Sequence, residues 1–153
     1  MEQRIDYWKV APQGLAAFRR LQGYIEGCGL EASLVELVKT RASQINGCAY
    51  CLDMHSKDAR ATGESEQRLY LLNAWREAPF YTPRERAALA WAEAVTLVAT
   101  NDLPDALYEE VRAQFDEKAL VDLTLAIVTI NGWNRFAIGF RAEVGGYQAG
   151  SAG

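Results

Sequence analysis

The stretch from Leu123 to Ile130 limits the possible folds more than any other part of the chain. It is apolar on nearly all sides, inside a helical pattern that Asp116 can cap and that runs to about Val144, before Gly145-Gly146. A helix apolar all round belongs at the centre of a core or beneath a partner subunit. The β-branched run Ile127-Val128-Thr129-Ile130 offers a competing reading as a buried strand. No other segment offers a convincing strand to pair with it, and a lone strand leaves its backbone groups unsatisfied. The expectation is an all-α domain.

The remaining pattern agrees, with about six to seven helices in all. Pro12 can open a helix carrying Leu15, Phe18, Leu21 and Ile25 on one stripe, ended by Gly27 and Gly29. A second helix is predicted from about Glu31 to Ile45, followed by the turn signal Asn46-Gly47. A third starts near Cys48 and ends by Gly63, and a fourth spans about Ser65 to Glu77 with Leu69, Leu72 and Trp75 on one face. Thr82-Pro83-Arg84-Glu85 reads as a capping box with Pro at the first helical position, leading a helix that holds Ala88, Trp91, Val95 and Val98. Pro104 opens a shorter helix with Leu107, Val111 and Phe115. No linker or repeat interrupts the pattern, so residues 1–153 read as one domain with its core at about 15–142.

Composition narrows the class. A chain of 153 residues, half of them hydrophobic, can bury an ordinary core without disulfides or metal. The formal net charge of -4 leaves no electrostatic footprint for nucleic acid or anionic lipid. No apolar run approaches the roughly 20 residues of a membrane span, and Met1 to Val10 has no signal-peptide h-region, so the cytoplasm is the expected compartment. Three cysteines are then expected to be reduced thiols rather than a disulfide scaffold. Cys28, between two glycines, reads as a small buried or half-buried thiol.

Cys48 and Cys51 carry the chemistry. They form C-x-x-C, and the sole histidine, His55, follows four residues later, so that all three share one helix face. A cysteine at a helix start meets free N–H groups and the positive end of the helix dipole, which favour a thiolate. His55 can take or return the proton of Cys51 across one turn. Glu36 joins by arithmetic. If Asn46-Gly47 folds helices two and three into a hairpin, Glu36 lies about 15 Å back from the turn and His55 about 12 Å beyond it, so the two face each other. A carboxylate there would hold the imidazole and raise its basicity. Such a thiolate attacks a disulfide or a peroxide oxygen, and the second cysteine closes a disulfide that an external thiol reductant must reopen. The thioredoxin fold, the usual home of C-x-x-C, needs a βαβ pattern that is absent. Zinc held by Cys48, Cys51, His55 and Glu36 is disfavoured, because ligands at i, i+3 and i+7 of one helix are awkward for a tetrahedron.

The spacing E-x11-C-x-x-C-x3-H over Glu36, Cys48, Cys51 and His55 resembles the alkylhydroperoxidase D family, within the carboxymuconolactone decarboxylase-like superfamily. Arg41 to Cys48, His55 to Arg60, Trp75-Arg76-Glu77, Glu85 to Leu89 and Asn131 to Arg135 look like the same family's blocks. The resemblance implies an all-α fold assembling as a homo-trimer or homo-hexamer, and peroxidase activity without haem, metal or other cofactor. It implies that Cys51 is the peroxidatic thiol, that Cys48 is proton donor and resolving thiol, and that Glu36 and His55 form the proton relay. The best-studied members carry His immediately before the second cysteine. Tyr50 stands there in this chain, and a phenol of pKa about 10 donates a hydrogen bond but is a poor base at pH 7.

The expected function is therefore a thiol-dependent reduction of a hydroperoxide, with an external thiol or dithiol as electron donor. A disulfide reductase or redox sensor using the same cysteines, and a decarboxylase or lactone-processing enzyme of the same superfamily, are the alternatives. Arg60 and Arg135 read as structural partners of nearby groups, and Trp133 as a core or interface residue.

Overall fold

The computed structural model describes residues 2–150, and every regular element among them is helical. The order is α1 (Tyr7–Val10), α2 (Pro12–Gly27), α3 (Ala32–Asn46), α4 (Ala49–Ala61), α5 (Glu66–Tyr70), a single 3-10 turn at Leu72–Ala74, α6 (Pro83–Thr96), α7 (Asp105–Arg112) and α8 (Glu117–Phe140). Eight α-helices replace the six to seven expected. The addition is α1, a one-turn helix whose N-cap Asp6 accepts a hydrogen bond from the Lys9 N–H. It is too short to leave a periodic signal.

α3 is the hub. Leu34 and Val38 on one side meet Ala87, Ala88 and Ala92 of α6, Val111 and Phe115 at the end of α7, and Leu123 and Ile127 of α8. The three alanines of α6 are almost fully buried, and side chains this small let α6 lie close against its neighbours. The capping box at Thr82 and Glu85 forms as read, each side chain bonding the other's backbone N–H. Val98 lies beyond the end of α6 and is exposed, so it is not part of that helix's apolar face.

Two predicted boundaries move, and in both places long-range partners replace intrahelical bonds. The expected helix 65–77 stops at Tyr70 and continues as the 3-10 turn. There the Arg86 guanidinium collects the carbonyls of Trp75, Arg76 and Ala78, while the Trp75 indole donates to Glu93. Leu72 and Trp75 are still buried, as the apolar spacing required. The last helix ends at Phe140 rather than near Val144. Arg141 turns into the left-handed region at φ 57°, and the Ala142 N–H bonds back to the Ala137 carbonyl. The exposed carbonyls of Gly139 and Phe140 are taken by Arg4, through its side chain and backbone N–H respectively.

α8 is also less enclosed than its composition implied. Leu123, Ala126, Ile127 and Ile130 are buried, but Val121 and Val128 on the opposite face are 59% and 50% exposed. Its inner face packs the core, and its outer face is an apolar stripe. No helix among the described residues is long and apolar enough to cross a membrane.

Candidate active site

Cys48 does two jobs at the α3–α4 hairpin. Gly47 adopts φ 67° after the last residue of α3, and the N–H groups of Gly47 and Cys48 bond back to Gln44 and Ser43 in a Schellman closure. One residue later, the Cys48 side chain is the N-cap of α4, its Sγ accepting from the Cys51 N–H at 3.3 Å. A glycine is required because the left-handed conformation costs any side-chain-bearing residue about 1 kcal/mol or more. The hairpin is locked to α8 by amides. Asn46 donates to the side-chain oxygens of Asn131 at 2.9 Å and Asn134 at 2.8 Å, and Asn134 donates to Ser43. Asn134 and Ser43 are fully buried, so this network fixes where the cysteines sit relative to α8.

Cys48 and Cys51 lie at disulfide distance, with Cα atoms 5.4 Å apart, and each is 1% exposed. They pack with Ala42, Ile130 and Ala137, flanked by Tyr50 and Trp133. Cys28 is the one free thiol among the described cysteines and is half-buried, remote in sequence and contact from this cluster.

Glu36 and His55 meet across the hairpin. His55 Nδ1 donates to Glu36 Oε2 at 2.9 Å, which leaves Nε2 as the ring nitrogen available to other groups. The other oxygen of Glu36 accepts from Lys39 Nζ at 2.9 Å. Burial pushes the Glu36 carboxyl up. The hydrogen bond and charge of His55, with Lys39 behind them, outweigh that and hold it at about 2. Glu36 is thus a carboxylate at any ordinary pH, facing a buried imidazole and a buried ammonium.

Sequence reasoning missed three members of this neighbourhood. Lys39 is only 8% exposed, although a lysine one turn along from a glutamate reads as a solvated pair. Asp58 lies one turn beyond His55. Tyr147 folds back from the C-terminal segment, its hydroxyl donating to Asp58 Oδ1 at 2.7 Å while its carbonyl accepts from Lys57 Nζ. Burial first, then the bond to Asp58 and that carboxylate's charge, push the Tyr147 phenol up to about 12. Periodicity gives no signal for a residue delivered by an irregular segment.

These groups line a cavity of about 580 Å³. Cys51, His55, Glu36, Lys39 and Asp58 form one wall, and Tyr7, Trp8, Tyr50 and Trp133 supply aromatic surface. Trp8 stacks on Trp133 with centroids 5.5 Å apart, and Phe18 packs against the same indole, so Trp133 is part of an aromatic cluster beside the site. Arg60 pairs with Glu66 and Arg135 bonds back to Asn131, so each has a local partner. Glu36, His55 and Asp58 place ligand atoms within 4.8 Å of one another. Lys39 and Tyr147 already engage the two carboxylates, and an ammonium beside Glu36 opposes a second cation.

The carboxymuconolactone decarboxylase family model matches residues 12–94, which hold Glu36, Cys48, Cys51 and His55. The chain is 46% identical over 138 residues to the uncharacterized protein YdfG of Bacillus subtilis strain 168, covering 90% of this chain and 94% of that one. Among solved structures, a protein of unknown function from Agrobacterium tumefaciens, suggested to be an antioxidant defence protein AhpD, is 45% identical with a TM-score of 0.91. That match covers 95% of this chain and all of the other. An uncharacterized peroxidase-related protein from Ralstonia eutropha JMP134, described as an alkylhydroperoxidase AhpD core, shares the fold at 20% identity, with a TM-score of 0.79 over 91% of this chain and 74% of its own. Identity along nearly the whole chain, together with the family match and the shared fold, settles the relationship: this chain belongs to the carboxymuconolactone decarboxylase family and has its AhpD-like helical architecture.

Proposed function

We propose that the chain is a thiol peroxidase that reduces organic hydroperoxides at Cys51. The observation that carries this reading is the shared cavity: Cys51, already paired with Cys48, opens onto the same aromatic-walled space as a preformed Glu36–His55 pair. In the reduced protein the Cys51 thiolate attacks the terminal peroxide oxygen. The O–O bond breaks, the alcohol leaves with a proton from the His55 relay, and Cys51 becomes a sulfenic acid. The Cys48 thiolate then attacks the Cys51 sulfur, the S–O bond breaks, and water departs as the disulfide closes. Glu36 holds the imidazole through Nδ1 so that Nε2 carries the proton traffic. An external thiol restores both cysteines, and no bound cofactor enters the cycle.

The test is stopped-flow mixing of reduced protein with hydrogen peroxide and with cumene hydroperoxide, following tryptophan fluorescence. A reaction at least about 100-fold faster than a free thiol's, ending in the Cys48–Cys51 disulfide, supports the reading. A rate equal to a free thiol's overturns it and leaves disulfide exchange.

Homo-oligomer assembly belongs to the same proposal. The exposed Val121 and Val128 on one face of α8 are apolar surface suited to contact between copies. Light scattering should return a mass several times 17.0 kDa, and a monomer would refute this part.

A further inference from the structure

The disulfide has two faces, and they open onto different spaces. Cys51 lines the aromatic cavity and Cys48 does not. Cys48 lines a separate groove of about 480 Å³, between the start of α4 and the end of α8, and Cys51 does not line that one. Tyr50 and Ala137 border both spaces. The groove's other walls include Gly47, Ile138, Arg141, Glu143 and Val144.

Resting on the peroxidase reading, we propose that this groove is the access route for the electron donor, a low-molecular-weight thiol that attacks Cys48. Thiol–disulfide exchange is an in-line displacement, so the incoming sulfur must approach along the S–S axis from the side away from the leaving sulfur. An attack on Cys48 therefore comes from the side opposite Cys51, and the groove is lined by Cys48 and not by Cys51. It releases Cys51 as a thiolate beside the Glu36–His55 pair, which can supply its proton.

The lining suits a thiolate nucleophile. The Arg141 guanidinium makes no ion pair or hydrogen bond with any described residue, and Arg141 is held at a left-handed φ that a non-glycine residue seldom adopts. Its charge and the N-terminus of α4 both favour an approaching anion, while Glu143 on the same rim opposes it. Cys48, which lines this groove, is 1% exposed, so the donor must be slender rather than a flat protein surface. Two thiols are consumed. The first forms a mixed disulfide with Cys48 and releases Cys51. The second attacks the donor sulfur, frees the Cys48 thiolate and leaves as the donor's own disulfide. The hydroperoxide and its alcohol occupy the other cavity, so neither competes with the donor.

The experiment starts from protein oxidised with diamide, which forms the disulfide whether or not the chain is a peroxidase. It is mixed with β-mercaptoethanol, quenched in acid, alkylated with N-ethylmaleimide and mapped by mass spectrometry. The expected early product carries the mercaptoethanol adduct on Cys48 and the maleimide on Cys51. An adduct on Cys51 overturns the proposal. Val144→Trp, which narrows the groove at an exposed position, should slow this reduction about ten-fold and leave peroxide-driven disulfide formation within about two-fold. Arg141→Glu should slow reduction by about three-fold or more at low salt, with Arg141→Lys restoring it. Unchanged reduction in both Val144→Trp and Arg141→Glu refutes the assignment. Absence of a fast peroxide reaction would instead refute the peroxidase reading, while the adduct position is still read from the diamide-oxidised protein.

Discussion

Cys51→Ser will abolish the fast peroxide phase, and Cys48→Ser will preserve it for one turnover. The two sulfurs are chemically alike and equally buried, so only their surroundings distinguish them. Cys51 faces the cavity that holds His55 and Glu36, whereas Cys48 faces the second groove. Removing Cys51 leaves a thiol with no route to the cavity, and the rate should fall to that of a free thiol, a loss of about 100-fold or more. Removing Cys48 leaves the nucleophile in place. Serine is a favoured N-cap, and its oxygen can accept from the residue 51 N–H as the sulfur does now, so α4 should keep its start. The sulfenic acid formed at Cys51 then has no resolving partner. Dimedone should label it after one equivalent of peroxide, and excess peroxide should drive it to the sulfinic acid. Dimedone labelling of Cys48 in the Cys51→Ser protein at the wild-type rate would reverse the assignment.

The parts of this site that were legible in the sequence are those fixed by local rules. Asn46-Gly47 marks the hairpin because only glycine takes the left-handed turn at no cost. Once the hairpin is granted, rise per residue alone brings Glu36 opposite His55, and the two are hydrogen-bonded in the structure. The Thr82 capping box is likewise a matter of four adjacent residues. The features that were not legible depend on distant partners. Arg86 satisfies the carbonyls of Trp75, Arg76 and Ala78, in a stretch that is not α-helical although its apolar spacing ran on. Arg4 does the same at the end of α8, from the other end of the chain. Tyr147 and Asp58 meet across 89 positions, and neither local propensity nor hydrophobic period encodes that contact. The Asn131-Gly132-Trp133-Asn134-Arg135 block resembled the family before its purpose was visible. Its two asparagines anchor the cysteine hairpin, and the Gly132 backbone lies directly against the Phe18 ring, where a side chain would collide.

Glu36→Gln should weaken the fold and the chemistry together, with a pH signature that separates it from ordinary core damage. The Glu36 carboxyl sits at about 2 in the folded protein, against 4.5 as its ordinary value. A carboxyl held low in the fold contributes stability that is present above its unfolded value and is lost as pH falls through its folded value. The gap corresponds to about 3 kcal/mol for this mostly buried side chain, present at pH 7 and withdrawn progressively between about pH 5 and pH 2. Protonation there leaves the buried Lys39 ammonium and the His55 imidazole without the carboxylate they share, and the substitution imposes the same condition at every pH. Urea unfolding followed by circular dichroism should therefore find Glu36→Gln less stable than wild type by about 3 kcal/mol at pH 7, with the gap narrowing from about pH 5 and closing only below about pH 2. Parallel curves across that range would mean that Glu36 contributes shape rather than charge. The oxidation rate at pH 7 should fall about 100-fold, because the imidazole loses the carboxylate that fixes its Nδ1 proton. Glu36→Asp, which keeps the charge on a shorter arm, should recover part of both losses. Recovery of stability without recovery of rate would show that the relay depends on the position of the carboxylate oxygen, and that its charge alone does not suffice.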